Sequence, residues 1–182
     1  YRDRPVIFAY DLLNEPEVRW DTPPMSVKWN RWLETKYASL AAISKAWGQT
    51  NQPLAWGEIP IPPREDCPGC ARLLDFQHFR EDIADEWTRR QVAVIRSVNP
   101  QALVTVGLIQ WSVPSLLAAG WQYSAFRPER QARLVDFLEI HFYPLANGFY
   151  EYSAGDEARN LAYLEGVVRE VVRPGKPVVI GE

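Results

Sequence analysis

Short apolar runs separated by helical stretches leave few folds open to this chain. The runs cover residues 6–12, 103–109, 135–142 and 178–181, and each is nearly continuous in Val, Ile, Leu or aromatic residues. That pattern predicts strands of a parallel sheet covered on both faces. Between the first two runs, Trp29, Trp32, Leu33, Tyr37, Leu40, Ile43 and Trp47 recur at three- and four-residue steps, which predicts one amphipathic helix over 27–47, stopped by Gly48. A second long helix is expected from a cap at Asp75, with Phe76, Phe79, Ile83, Trp87, Val94 and Val98 on one face and Asn99-Pro100 ending it. One or two further helices fall within 114–134, and Leu161, Leu164, Val168 and Val171 mark another over 156–172. The order is that of an α/β protein, whose right-handed crossovers set all the strand C-termini at one edge.

Ligands bind at that edge in open and closed parallel sheets alike. The residues placed there are Asn14 and Glu15, Gln110 and Trp111, His141 and Tyr143, and Glu182. An acid at the exit of a buried strand is costly unless it is used. Two such acids, Glu15 and Glu182, suggest the paired carboxylates of glycoside hydrolysis: one holds a proton for the leaving oxygen, the other attacks as a nucleophile. Asn14 is placed to bond a sugar hydroxyl, and Pro16 to lock the turn. Tyr143 can donate to the nucleophile. His141 is either a substrate contact or a satisfied structural group. Glu139 shares a strand face with His141 and reads as an interior partner, as Asp11 does. Trp111 and Trp20 could stack on sugar rings or simply pack.

Composition narrows the alternatives. A net charge of -3 offers no basic footprint for nucleic acid, and no apolar run approaches the roughly 20 residues of a membrane span. With eight Trp, eight Tyr and seven Phe, flat faces suited to sugar rings are plentiful, although most such residues fill cores. Cys67-Pro68-Gly69-Cys70 lies in an irregular stretch over 49–71 crowded with Pro and Gly. Only His78 and His141 could join those cysteines as imidazole ligands, which disfavours a metal site. No strand feeds the motif as a redox pair would need, so a local disulfide staple or two free thiols is expected. No cofactor is implied. The opening Tyr1-Arg2-Asp3-Arg4 is no signal peptide, and it says nothing of export.

Leu13-Asn14-Glu15-Pro16, His141-Phe142-Tyr143-Pro144 and Val179-Ile180-Gly181-Glu182 resemble clan A glycoside hydrolases, the first two motifs most of all family 5. Trp29 to Tyr37, Ala46-Trp47-Gly48 and Leu74 to Phe79 resemble the matching region of family 42 β-galactosidases. The resemblance implies a (β/α)8 TIM barrel whose fourth strand ends in the acid/base, here Glu15, and whose seventh ends in the nucleophile, here Glu182. It further implies Asn14 as the contact to the 2-hydroxyl and His141 and Tyr143 as residues lining the site. Four strands in 182 residues fit about half of a barrel of roughly 250 residues. The expectation is therefore one partial catalytic domain, strands four to seven, with a helical and loop insertion at about 20–100. Its partners would be a carbohydrate substrate and the rest of the barrel, without which it is expected to be inactive. A non-catalytic carbohydrate-binding barrel is the alternative, and a redox protein using Cys67 and Cys70 a more distant one.

Overall fold

The computed structural model describes residues 6–48, 53–63, 71–113, 124–143 and 155–182. Cys67, Cys70 and Pro144 lie outside them, as do residues 49–52 and 64–70 of the Pro/Gly-rich stretch. The elements run β1 (Tyr10–Asn14), α1 (Pro23–Lys36), α2 (Leu40–Trp47), α3 (Ala71–Val98), β2 (Val104–Leu108), a 3-10 turn (Gln110–Ser112), α4 (Pro128–Gln131), β3 (Leu138–Ile140), α5 (Glu157–Val171) and β4 (Val178–Ile180). Among the described residues no helix is long and apolar enough to cross a membrane. The chain divides into two compact units, one of 1–16, 83–118 and 123–182, the other of 17–82 and 119–122.

The first unit is built on a four-stranded sheet in the order β1-β2-β3-β4. Every pairing is parallel, so the C-terminal ends of the strands do share one edge. Register fixes which side chains share a face: Asp11 lies beside Thr105, Gly107 beside Glu139, and Glu139 beside Val179. Glu139 and His141, two residues apart, fall on this same polar face. The opposite face carries Val104, Val106, Leu108, Leu138 and Ile140, all buried. Val104 packs with Val92 of α3 and Ala102, and Tyr10, Leu12 and Ile95 close over them.

The strands are shorter than their apolar runs. Val6 and Phe8 are largely exposed, and β1 begins only at Tyr10, whose N–H meets the Leu103 carbonyl at 2.9 Å. It then extends past residue 12 to Asn14 through an irregularity between Asp11 and Asn14. Pairing with a neighbour, not hydrophobicity alone, decides where a strand starts. The outer strands β1 and β4 leave Leu13, Val179 and Ile180 exposed, whereas every residue of β2 is buried.

The second unit holds a helical core of its own. The single helix expected over 27–47 is two helices. Tyr37 turns to an extended backbone, and the Ser39 hydroxyl caps α2 by accepting from the Ala42 N–H at 3.1 Å. Asp75 is not a cap either, because α3 already runs from Ala71. It is buried at 4% exposure, and its carboxylate takes the Lys36 ammonium at 2.6 Å, the Tyr37 hydroxyl at 2.6 Å and the Trp47 indole N–H at 2.7 Å. One acid thus ties α1, α2 and α3 together. Around it, Trp29 stacks on Trp32 and Trp47 and meets Phe76 edge-on. Trp20 packs edge-on against Phe76 and Phe79, with the Arg80 guanidinium over its ring at 5.7 Å. That is packing within this unit's core.

Candidate active site

The residues at the C-terminal edge of the sheet belong to the first unit, and His141 stands at their centre. Its position follows from β3: the His141 N–H donates to the Leu108 carbonyl at 2.8 Å, which continues the ladder one residue past the strand. The ring is buried at 1% exposure. Its Nδ1 lies 3.1 Å from Glu15 Oε1 and 3.6 Å from Glu182 Oε2, while Nε2 lies 3.9 Å from Glu139 Oε1.

Glu15 follows β1 directly, and its N–H donates to the Gly107 carbonyl at 2.9 Å. Its φ is 43°, a left-handed backbone rare for a residue with a side chain. Local strain of this kind persists only where surrounding structure imposes it. Pro16 behind it is buried. Glu182 follows β4, and its carbonyl accepts the Phe142 N–H at 2.9 Å. The Tyr143 hydroxyl donates to Glu182 Oε2. Tyr143 is itself held through its N–H, which donates to Gln110 Oε1 at 2.9 Å. Asn14 ends β1 as an exposed residue next to Glu15. Trp111 sits in the 3-10 turn after β2.

One oxygen of Glu15, one of Glu182 and a ring nitrogen of His141 all lie within 4.8 Å of one another. Such spacing would suit a cation. Nδ1 and Glu15 Oε1 are also at hydrogen-bond distance, 3.1 Å, with the donor set by the tautomer of the ring and the protonation of the acid. Within the trio the hydrogen bond joins His141 to Glu15, while Glu182 is bonded by Tyr143.

Two residues are more deeply involved than sequence alone indicates. Gln110 is buried at 3% and braces Tyr143, although a glutamine at a strand end carries no distinctive signal. Glu139 carries a pKa raised above the usual carboxylate range by burial and by the charges of Asp11 and Glu182, with His141 acting the other way. Asp11, an exposed residue, accepts the Gly107 N–H at 2.8 Å.

Parallel strands that deliver two acids to one edge define a class when joined to the similarities of the chain. Solved structures that resemble it include two beta-galactosidases. A beta-galactosidase from the psychrophilic Marinomonas ef1 matches 99% of this chain and 28% of its own at a TM-score of 0.70 and 18% identity. One from Bacillus circulans sp. alkalophilus matches 92% and 24% at a TM-score of 0.65 and 20% identity. The class is glycoside hydrolase. More particularly, the sequence profile of family 42, described as "Beta-galactosidase", matches residues 1–182, and the chain belongs to that family. This is the family that the segments around Trp29, Trp47 and Phe76 resemble. Among curated relatives, Beta-galactosidase BgaH of Haloferax lucentense is 29% identical over 119 residues, which is 63% of this chain and 16% of that protein. The Beta-galactosidase of Thermus thermophilus is 28% identical over 92 residues, 48% of this chain and 14% of that one. The chain thus matches about a sixth of the length of these relatives.

Proposed function

We propose that this chain carries the catalytic carboxylates of a retaining β-glycosidase, with Glu15 as acid/base and Glu182 as nucleophile. The observation that carries the reading is the separation of their nearest oxygens, within 4.8 Å. Retaining enzymes hold the two groups about 5–5.5 Å apart, whereas inverting enzymes need roughly 6.5–9.5 Å to admit a water.

In the first step a Glu182 oxygen attacks the anomeric carbon. The glycosidic C–O bond breaks as Glu15 gives its proton to the leaving oxygen. In the second, Glu15 takes a proton from water, whose oxygen attacks the same carbon and releases Glu182 as carboxylate. The Tyr143 hydroxyl donates to Glu182 Oε2 and so leaves the other oxygen for attack. Asn14, beside Glu15 at the end of β1, suits the 2-hydroxyl of the sugar, where contacts strengthen in the transition state. His141 lines the floor of the site, and Trp111 follows β2 at the same edge as a further substrate contact.

The relatives named as beta-galactosidases favour β-galactosides among the β-linked glucans, mannans and galactosides that such a site could accept. The four strands would be the fourth to seventh of a (β/α)8 barrel completed by further chain. The test uses the full-length enzyme and a 2-fluoro β-galactoside. A covalent adduct on the peptide containing Glu182 is expected. No adduct, together with no turnover of any β-glycoside, would overturn the reading. Glu15→Gln should slow poor leaving groups most, and Glu182→Gln should abolish hydrolysis of all substrates.

A further inference from the structure

The hydrogen-bond ladder does not end where the strands do. Beyond Ile140 the main chain still bonds to its two neighbours in turn. The His141 N–H meets the Leu108 carbonyl at 2.8 Å, the Phe142 N–H meets the Glu182 carbonyl at 2.9 Å, and the Tyr143 N–H meets Gln110 Oε1 at 2.9 Å. Bonds in a parallel pair are evenly spaced along the strands. The rung after His141–Leu108 would therefore join Tyr143 to the main-chain carbonyl of Gln110. That carbonyl has turned away into the 3-10 turn, where it accepts the Val113 N–H at 3.4 Å. The side-chain carbonyl of Gln110 takes its place.

An amide is an expensive group to place here. Gln110 is 3% exposed, and its Nε2 is buried without a hydrogen-bond partner among the described residues. The Tyr143 N–H can only donate, so it meets the carbonyl end of the amide and sends the two hydrogens of Nε2 the other way. A buried donor left unmet weakens a fold, and such a group calls for an explanation. A methionine would fill the same length of space with no donor to strand. What the amide offers and methionine cannot is the acceptor for Tyr143, whose hydroxyl donates to Glu182 Oε2.

We propose that Gln110 is a positioning residue for the nucleophile: its side-chain carbonyl carries the β2–β3 ladder one rung past the strands, and that rung holds the Tyr143 hydroxyl against Glu182. The inference rests on the catalytic reading of Glu15 and Glu182. Gln110 acts through Tyr143 alone. Without the rung the main chain at Tyr143 loses its tie to β2, and the phenol drifts from Glu182. The carboxylate then loses a donor on one oxygen and can rotate the other out of line with the anomeric carbon. The attack by Glu182 slows, while affinity for the sugar is retained.

The test uses the full-length enzyme. Gln110→Met keeps the length of the side chain and removes the acceptor, and Gln110→Asn keeps the amide but withdraws it by one methylene. Each should lower the rate constant for inactivation by a 2-fluoro β-galactoside by up to roughly 100-fold, the cost of misplacing a reacting group by about 1 Å. The inhibition constant of free galactose should stay as it is, and Gln110→Met should not lower the thermal midpoint. Tyr143→Phe should show the same slowing. Adding Gln110→Met to Tyr143→Phe should then cost no more than about a further twofold, because both act through one hydroxyl. Native inactivation rates in both Gln110 variants, losses that multiply in the double variant, or a lower midpoint with weaker galactose binding would each overturn the inference. If the native enzyme forms no adduct, the catalytic reading fails instead. A crystal structure of Gln110→Met then decides the positioning: a Tyr143 hydroxyl still bonded to Glu182 refutes it, and a withdrawn one supports it.

Discussion

A methyl group at Gly181 would collide with the Glu139 carboxyl, and one at Gly107 would press on His141 Nε2 at 2.9 Å. Gly181→Ala is therefore expected to destabilise the fold by about 1–3 kcal/mol, as overpacking does, and to displace Glu139 from beside His141. Denaturant melts would show the loss. Glu139 also makes stability depend on pH. Its folded pKa is raised, so its contribution is fully present below the ordinary value of 4.5 and is lost as pH rises through the folded value. Glu139→Gln should remove that loss, so its denaturation midpoint relative to the native chain should improve as pH is raised from about 4 to about 7. At this scale much was legible in the primary structure: Glu15, Glu182, His141 and Tyr143 stand at strand ends, and the face shared by Glu139 and His141 follows from alternation. The bracing of Tyr143 by Gln110 was not, because the two are brought together only by the pairing of β2 with β3.

The helices show where periodicity misleads. Apolar spacing continues unbroken through Tyr37, Leu40 and Ile43, yet the backbone leaves the helix at Tyr37 and restarts behind the Ser39 hydroxyl. Ser39→Ala should cost about 1 kcal/mol, the usual worth of an N-cap, measurable in the thermal midpoint. Asp75 misled in a similar way. An acid ahead of a periodic apolar run resembles a cap, while its actual partners, Lys36, Tyr37 and Trp47, lie 39, 38 and 28 residues away in sequence. Asp75→Ala would leave those donors unmet and should destabilise this unit by about 2–3 kcal/mol, followed through tryptophan fluorescence. Tyr37 adds an alkaline signature. Burial and the bond to Asp75 push its pKa from 10.0 up to about 12, so the stability it contributes holds below pH 10.0 and is lost as pH climbs through about 12. In Tyr37→Phe the tyrosinate absorbance that appears near pH 12 should diminish.

For the molecule as a whole, the sheet's outer strands matter most. β1 and β4 each pair with a single neighbour among the described residues, and they expose Leu13, Val179 and Ile180. Exposed apolar strands invite pairing with other chains. Residues 1–182 studied alone are expected to self-associate as concentration rises, and Leu13→Lys with Ile180→Lys should reduce this in sedimentation velocity. The alternation of apolar runs and helices foretold a parallel sheet with its strand ends at one edge. It overstated the strands because hydrophobic residues such as Val6 and Phe8 need a paired neighbour, and not only an apolar side chain, to join the ladder.

The backbone at Glu15 carries a consequence for the history of such a protein. Asn or Gly would accept a φ of 43° with less strain, by about 1 kcal/mol. A library screened for heat resistance alone would thus be drawn toward exchanging this glutamate, and, on the role proposed for Glu15, the survivors would be sturdier proteins without their acid/base. Keeping an acid here requires that selection continue to watch the reaction itself.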